Sequence, residues 1–256
     1  MTLPLTPPVA SPFDLGGRTA LVTGARSGIG AAIAVGLAAA GADLVLHGHH
    51  DNLDETAASV RALGRKASTV LADLASPEAA ATLGTEFTDV DILVNNAGII
   101  ARGRSLEMPL SRWREVMAVN LDSVFAMTQV IGGGMVRRGA GKVITVASLL
   151  SFQGGLNVSA YAASKHAVAG LTKALANEWA GHNVQVNAIA PGYIETDNTA
   201  ALRADPVREP QIRQRVPAGR WGTPADIAGA AVFLASAAAD YVNGHVLVVD
   251  GGWLGR

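Results

Sequence analysis

The sequence predicts a single α/β domain built on a doubly wound parallel sheet of about seven strands with helices on both faces. Three observations lead there. From Arg18 onward, short aliphatic or β-branched runs alternate with longer Ala-rich stretches of helical period, the mark of repeated βα units. The short runs are apolar almost throughout rather than at every second residue, as strands covered on both faces must be. The first run ends on Thr23-Gly24-Ala25-Arg26-Ser27-Gly28-Ile29-Gly30, and an Ala-rich helix follows at once. That is the context in which a glycine-rich turn acquires meaning in a Rossmann-type fold.

The elements follow in order. Strands are expected at TALVTG, DLVLHG, KASTVLA, DILVNN, KVITVAS, VQVNAIA and HVLVVDG, and helices at IGAAIAVGLAAAG, SRWREVMAVNLDSVFAMTQVI, SAYAASKHAVAGLTKALANEWAG and PADIAGAAVFLAS. No internal boundary separates them. Residues 1–12, MTLPLTPPVASP, read as a flexible Pro-rich extension, and 13–256 as one dinucleotide-binding catalytic domain. The stretch from about 192 to 220 reads as irregular, and an irregular segment of that length inside a compact domain is usually functional; it is the expected substrate loop. Ligands in such sheets bind beyond the C-terminal strand ends.

Composition narrows the partners. The 256 residues are 49% hydrophobic and 16% charged, with a net charge of -1. This carries no electrostatic footprint for nucleic acid or an anionic membrane. The absence of cysteine excludes disulfides, thiolate catalysis and cysteine metal sites. The N-terminus lacks a basic segment followed by an apolar core, and no run has about 18 uninterrupted apolar residues. The expected setting is cytoplasmic, with a small-molecule substrate and copies of the same chain as partners. His47, His49 and His50 cluster, but no third ligand set accompanies them and no metal is assigned.

Chemistry is expected at two places. In the turn, glycines allow positive φ and close backbone approach to a pyrophosphate, whose charge the helix N-terminus favours. Gly24, Arg26, Ser27, Gly28, Ile29 and Gly30 are the candidates. Farther along, Tyr161 and Lys165 stand four apart in a helical stretch and share a face. A phenol titrates near pH 10, and a neighbouring ammonium or an oxidised nicotinamide should lower that value and make Tyr161 a usable acid/base. Ser148, at the end of the fifth strand, would donate a hydrogen bond to a substrate oxygen as charge develops there.

The G-x-x-x-G-x-G spacing of the turn resembles that of the short-chain dehydrogenase/reductase family. Further matches follow in order: Asp73 in LADL, Asn95-Asn96-Ala97-Gly98, Asn120 in VNLDSVF, Ser148, Tyr161-x-x-x-Lys165 and Pro191-Gly192-x-x-x-Thr196. The resemblance implies an NAD(P)-dependent oxidoreductase that moves a hydride between nicotinamide and a secondary alcohol or ketone. It implies Asn120, Ser148, Tyr161 and Lys165 as the catalytic set, with Asn120 helping to link Lys165 to solvent through ordered water. Asp73 would touch the adenine, Asn95 and Gly98 would shape the cofactor floor, and Ile194 with Thr196 would hold the nicotinamide amide. Leu74, Ala97, Pro191 and Gly192 would complete that surface, together with Tyr161 and Lys165. A homotetramer of two-fold symmetry is implied as well, with the helices containing Asn120 and Tyr161 in one contact.

Two choices stay open. An acid at the end of the second strand would grip the ribose hydroxyls of NAD, and basic groups there would accept the phosphate of NADP. That place falls near Gly48, where His49, Arg26, His47 and His50 suit a phosphate and Asp51 suits NAD. For the substrate, SLLSFQGG, NEWAGHNVQVNAIAPGY, PAGRW and DYVNGHVLVVDGGWLGR are similar to a subgroup of the family that acts on deoxy-sugar acids, which also favours NAD. A sugar acid needs a cation for its carboxylate. Arg102 and Arg104 follow the NNAG turn, and Arg203, Arg208, Arg213 and Arg215 lie in the long segment. The expected substrate contacts are Arg102, Ser148, Gln153, Asn157, Tyr161, Arg203 and Arg215. The alternatives are a reductase of another sugar, a polyol or a 3-oxoacyl thioester, and, from another class, a nicotinamide-binding regulator without catalysis.

Overall fold

The computed structural model describes residues 11–50 and 52–256, so most of the expected N-terminal extension and Asp51 lie outside the described residues. Seven strands form one parallel sheet: β1 (Thr19–Val22), β2 (Asp43–Gly48), β3 (Ala67–Leu71), β4 (Ile92–Asn95), β5 (Gly141–Val146), β6 (Val184–Pro191) and β7 (Val246–Val249). Their order is β3-β2-β1-β4-β5-β6-β7, and every pairing is parallel. The order reverses between β1 and β4, which makes their C-terminal ends the switch point where this architecture opens a crevice.

The pleat explains the apolar runs. Ala20, Val22, Leu44, Leu46, Ile92 and Val94 belong to one core. There they meet α1 (Gly28–Ala39) and α9 (Pro224–Ala235) through Ile33, Leu37, Ile227 and Leu234. The alternate residues Leu21, Val45, Leu93 and Val143 belong to the opposite core with α3 (Pro77–Glu86), α5 (Ser123–Arg138) and α6 (Ser159–Trp179). Period-two side chains feeding two helical layers make apolar residues useful on both faces of a central strand. The short α2 (Asp54–Ala62) flanks the adenosine side.

Two elements differ from the sequence expectation. The helix expected at SRWREVMAVNLDSVFAMTQVI is a longer helical run broken by a π turn at Ala118–Asp122, between α4 (Leu110–Met117) and α5. The run Leu110–Arg138 is long and apolar enough to cross a membrane by length and composition, but half of its most apolar window is buried inside the domain. The segment from 192 to 220, expected to be irregular, contains α7 (Ala200–Arg203) and α8 (Arg208–Arg215). Ile212 and Val216 fix α8 against Leu149, Trp221 and Trp253. The apolar anchors are too sparse to show a helical period, which is why the segment read as a loop.

Gly132 on α5 allows Trp179 of α6 to lie against its backbone, and a Cβ there would meet the indole ring at 2.5 Å. Overpacking of this kind costs about 1–3 kcal/mol. Gly132→Ala should therefore lower the thermal midpoint by several degrees, measured by circular dichroism, with no direct effect on the strand ends where chemistry is sought. An unchanged midpoint would show that the ring shifts freely.

Candidate functional site

The site begins at the switch point. Gly24 and Gly28 adopt positive φ of 63° and 58°, conformations that side chains with a Cβ rarely take. Gly30 has no room for a Cβ, which would strike the Gly24 carbonyl and the Asn96 amide. Ser27 precedes α1 without a side-chain cap bond, so the first-turn N–H groups remain available to an anion. Thr23 Oγ1 accepts from the Asn96 and Ala97 amides at 2.9 and 3.0 Å and donates to Val94 O at 3.4 Å. The Asn96 amide in turn donates to Thr23 O at 2.9 Å and Gly24 O at 3.1 Å. These bonds tie the turn after β1 to the loop after β4. Thr23 and Asn96 were not expected as site residues; the only sequence signal was a hydroxyl and an amide at the ends of adjacent strands.

The adenosine side corrects one expectation. His47 is 2% exposed, its Nδ1 accepts from the Gly24 amide at 3.4 Å, and its Nε2 faces Ala72 O at 3.1 Å. Those partners fit the neutral ring with the proton on Nε2, and burial lowers its pKa. His47 is therefore a buttress of the turn and not a phosphate ligand. His49 and His50 stack beyond Gly48 at 4.0 Å between ring centroids. His49 Nε2 stands 3.7 Å from Asp73 Oδ1, and Arg26 stands 3.9 Å from Asp197. Leu74, also expected at the adenine, is buried.

The floor passes toward the reacting end. Asn95 is buried and donates its amide to Thr128 of α5 at 2.9 Å, so it shapes the floor from beneath. A Cβ on Gly98 would meet Asn120 Oδ1 at 3.3 Å and Lys165 Nζ at 3.8 Å. Asn120 accepts from Ile99 N–H at 2.8 Å and donates to Ile99 O at 2.9 Å and Ser164 Oγ at 3.1 Å. Its amide is thus committed to joining the π turn, the loop after β4 and α6.

Lys165 is 5% exposed, donates to Val146 O at 2.6 Å and lies 5.5 Å from the centroid of the Tyr161 ring. Burial lowers its pKa to about 8. Tyr161 is half-buried on a cavity wall. Burial raises its phenol above the ordinary value, opposed by a hydrogen bond with Ser148 and by the charge of Arg102. In the folded chain burial outweighs these two opposing influences. Ser148 Oγ accepts from Leu150 N–H at 3.1 Å, which leaves its own proton free to donate.

Beyond Tyr161 and Ser148 opens a cavity of about 610 Å³. Arg102, Gln153 and Asn157, named above as substrate contacts, line it, together with Pro191 and Gly192, named above for the cofactor, and Arg208. Arg203 and Arg215 do not: Arg203 points to Thr196 O at 3.4 Å, and Arg215 stacks on Trp253 at 4.0 Å. Arg104 and Arg213 are tied to Glu107 and Glu209 at 3.3 and 2.9 Å. Ile194 is buried and forms a bridge with Gly222. The Thr196 methyl comes within 3.3 Å of where a Gly28 Cβ would sit. One rim thus joins the phosphate turn, Thr196 and the cavity. Its crowded glycines, uncapped helix and buried Tyr–Lys pair suit an extended anionic cofactor with its reactive end beside Tyr161.

A family model described as enoyl-(acyl carrier protein) reductase matches residues 24–254. A 2-dehydro-3-deoxy-D-gluconate 5-dehydrogenase of Bacillus subtilis is 55% identical, over 95% of this chain and 97% of that protein. A crystal structure from Beutenbergia cavernae, provisionally titled an NAD(P)-dependent gluconate 5-dehydrogenase with NADP bound at low occupancy, superposes with a TM-score of 0.94. It is 57% identical and covers 96% of this chain and 100% of its own. A gluconate 5-dehydrogenase from Burkholderia cenocepacia in complex with NADP and tartrate has a TM-score of 0.91 at 40% identity, over 95% and 98% of the two chains.

Lys165 generates a prediction that needs no substrate. Its folded-state pKa of about 8 lies below the ordinary lysine value of 10.5. Between those values the unfolded chain binds a proton that the folded chain has released, so this residue adds stability as pH rises. The thermal midpoint of the wild type relative to Lys165→Met should therefore climb from pH 8 to about 10. Tyr161, with its raised pKa, stays protonated across that window. A flat difference would mean that Lys165 titrates as it does in water.

Proposed function

Because the chain belongs to the short-chain dehydrogenase/reductase family, we propose that it moves a hydride between NAD(P) and a secondary alcohol or ketone of a sugar acid, of the 2-dehydro-3-deoxy-D-gluconate type. The observation that carries this reading is that Ser148 and Tyr161 line one wall of the same cavity, with Lys165 buried 5.5 Å from the Tyr161 ring. Bound nicotinamide supplies or accepts the hydride. The chain supplies the rest. In reduction, Tyr161 gives its phenolic proton to the substrate oxygen while Ser148 donates to the same oxygen, and in oxidation Tyr161 takes the alcohol proton back. Lys165, with a pKa near neutrality, favours phenolate when protonated. The sugar-acid class rests on the relatives and on the two arginines, Arg102 and Arg208, that line the cavity.

For the cofactor, the residues at the end of the second strand leave the choice open and only the subgroup resemblance favours NAD, whereas relatives have been crystallised with NADP. The end of β2 carries Gly48, His49 and His50, and we take His49 with Arg26 as the partners of the NADP phosphate. Replacing both with alanine should weaken NADPH binding severalfold and leave NADH binding nearly unchanged, as read by cofactor fluorescence. Equal effects on the two would assign these residues no part in the choice. For assembly, the homotetramer remains our reading; Phe125 on α5 and Leu110 on α4 leave apolar surface exposed on the expected contact. A monomer in light scattering at micromolar concentration would contradict it.

The central test is Tyr161→Phe. The change removes one oxygen and keeps the ring, so fold and cofactor binding should survive. The developing alkoxide, however, loses its proton source. General acid/base groups contribute about 10²- to 10⁴-fold, and the loss in kcat should reach or exceed the upper part of that range. If a keto sugar acid is still reduced at more than about a tenth of the wild-type rate, less than 1.36 kcal/mol in barrier, the assigned role is wrong.

A further inference from the structure

We propose that Arg208 binds the substrate carboxylate and holds the acid end of a sugar acid in the cavity that Ser148 and Tyr161 also line. This rests on the sugar-acid reading above and assigns it a residue. Arg208 opens α8 and lines the same cavity as Ser148 and Tyr161. Among the described residues, no carboxylate comes within salt-bridge distance of its guanidinium. The neighbouring Asp205 is taken by the backbone: its Oδ1 accepts from Val207 N–H at 2.9 Å and Arg208 N–H at 3.0 Å. By contrast, Arg213 and Arg220 of the same segment are paired with Glu209 and Asp226 at 2.9 and 2.7 Å.

A second observation is independent of charge pairing. Arg208 Nε is buried and has no hydrogen-bond acceptor among the described residues. An unmet buried donor is costly, the more so on a charged group, unless an acceptor arrives from outside the chain. A carboxylate is the acceptor that the guanidinium fork fits best, through two parallel bonds. The other arginine on the cavity wall, Arg102, is already engaged with Asn198 O at 3.1 Å.

The test compares Arg208→Met and Arg208→Lys with the wild type on a keto sugar acid and on a neutral ketose of similar length. Cofactor titration serves as the check on folding. Loss of a charge-assisted bidentate contact should raise KM for the acid roughly 10- to 100-fold in the methionine variant. KM for the neutral sugar should stay within about twofold, so discrimination collapses through KM rather than kcat. The lysine variant, which keeps a charge but not the fork, should fall between. Tartrate titrated into cofactor-loaded protein is the second measurement, and its Kd should rise in parallel. Unchanged discrimination with unchanged tartrate affinity would overturn the assignment, as would equal losses on acid and neutral substrates. If the wild type turns over no sugar acid, the substrate reading fails, and the tartrate titration still decides whether Arg208 holds a carboxylate.

Discussion

Where β1 and β4 part, the sheet must end two central strands in a crevice without stranding buried polar groups. Unmet backbone groups there would cost more than the crevice could return. Thr23 and Asn96 resolve this by bonding each other's loops, while His47 takes the Gly24 amide from the other side. Once the seam is closed by side chains lying behind it, the glycine backbone in front can face a ligand. The crowding around Gly30 follows from the same seam, since the Asn96 amide occupies the space that a Cβ would need.

The reacting end depends on that seam through the loop after β4. This loop carries Gly98 and Ile99 to the π turn, where Asn120 clamps Ile99 on both its N–H and its carbonyl. A regular α-helix would turn residue 120 by about 100° per inserted position, so the extra residue of the π turn sets where the amide points. From there the Asn120–Ser164 bond reaches α6 beside Lys165. Turn, loop, π turn and catalytic helix thus form one hydrogen-bonded chain, which lets residues far apart in sequence keep a fixed separation.

Much of this was legible before any coordinates. The strands could be read because a sheet covered on both faces demands continuous apolar runs, and Tyr161 and Lys165 because helical spacing forces them to one face. What could not be read has physical reasons too. His47 looked like a surface ligand because a strand sequence does not say whether a polar side chain meets a backbone partner inside. The π turn left no mark because apolar residues are so dense in MAVNLDSVFAM that a phase shift of about 100° leaves an apolar face on either side of it. The arginines of the 192–220 segment were indistinguishable until packing of Ile212 and Val216 sent Arg208 to the cavity and Arg215 to Trp253.

The electrostatics of the pair at the centre give the chemistry a direction. A phenol raised by burial is a neutral acid at physiological pH, ready to protonate an oxygen that gains charge. In that state ketone reduction needs no prior ionisation. Alcohol oxidation needs phenolate, and the low dielectric that raises the phenol also strengthens every nearby positive charge. Protonated Lys165 is one such charge, but its deprotonation above about pH 8 removes it before the raised phenol would ionise. The two titrations therefore oppose each other at alkaline pH. The charge that best compensates is one that does not titrate: a guanidinium such as Arg102, which already pulls on Tyr161, or the positive ring of an oxidised nicotinamide. On this account the oxidative direction depends on fixed charge, and the reductive direction on burial alone.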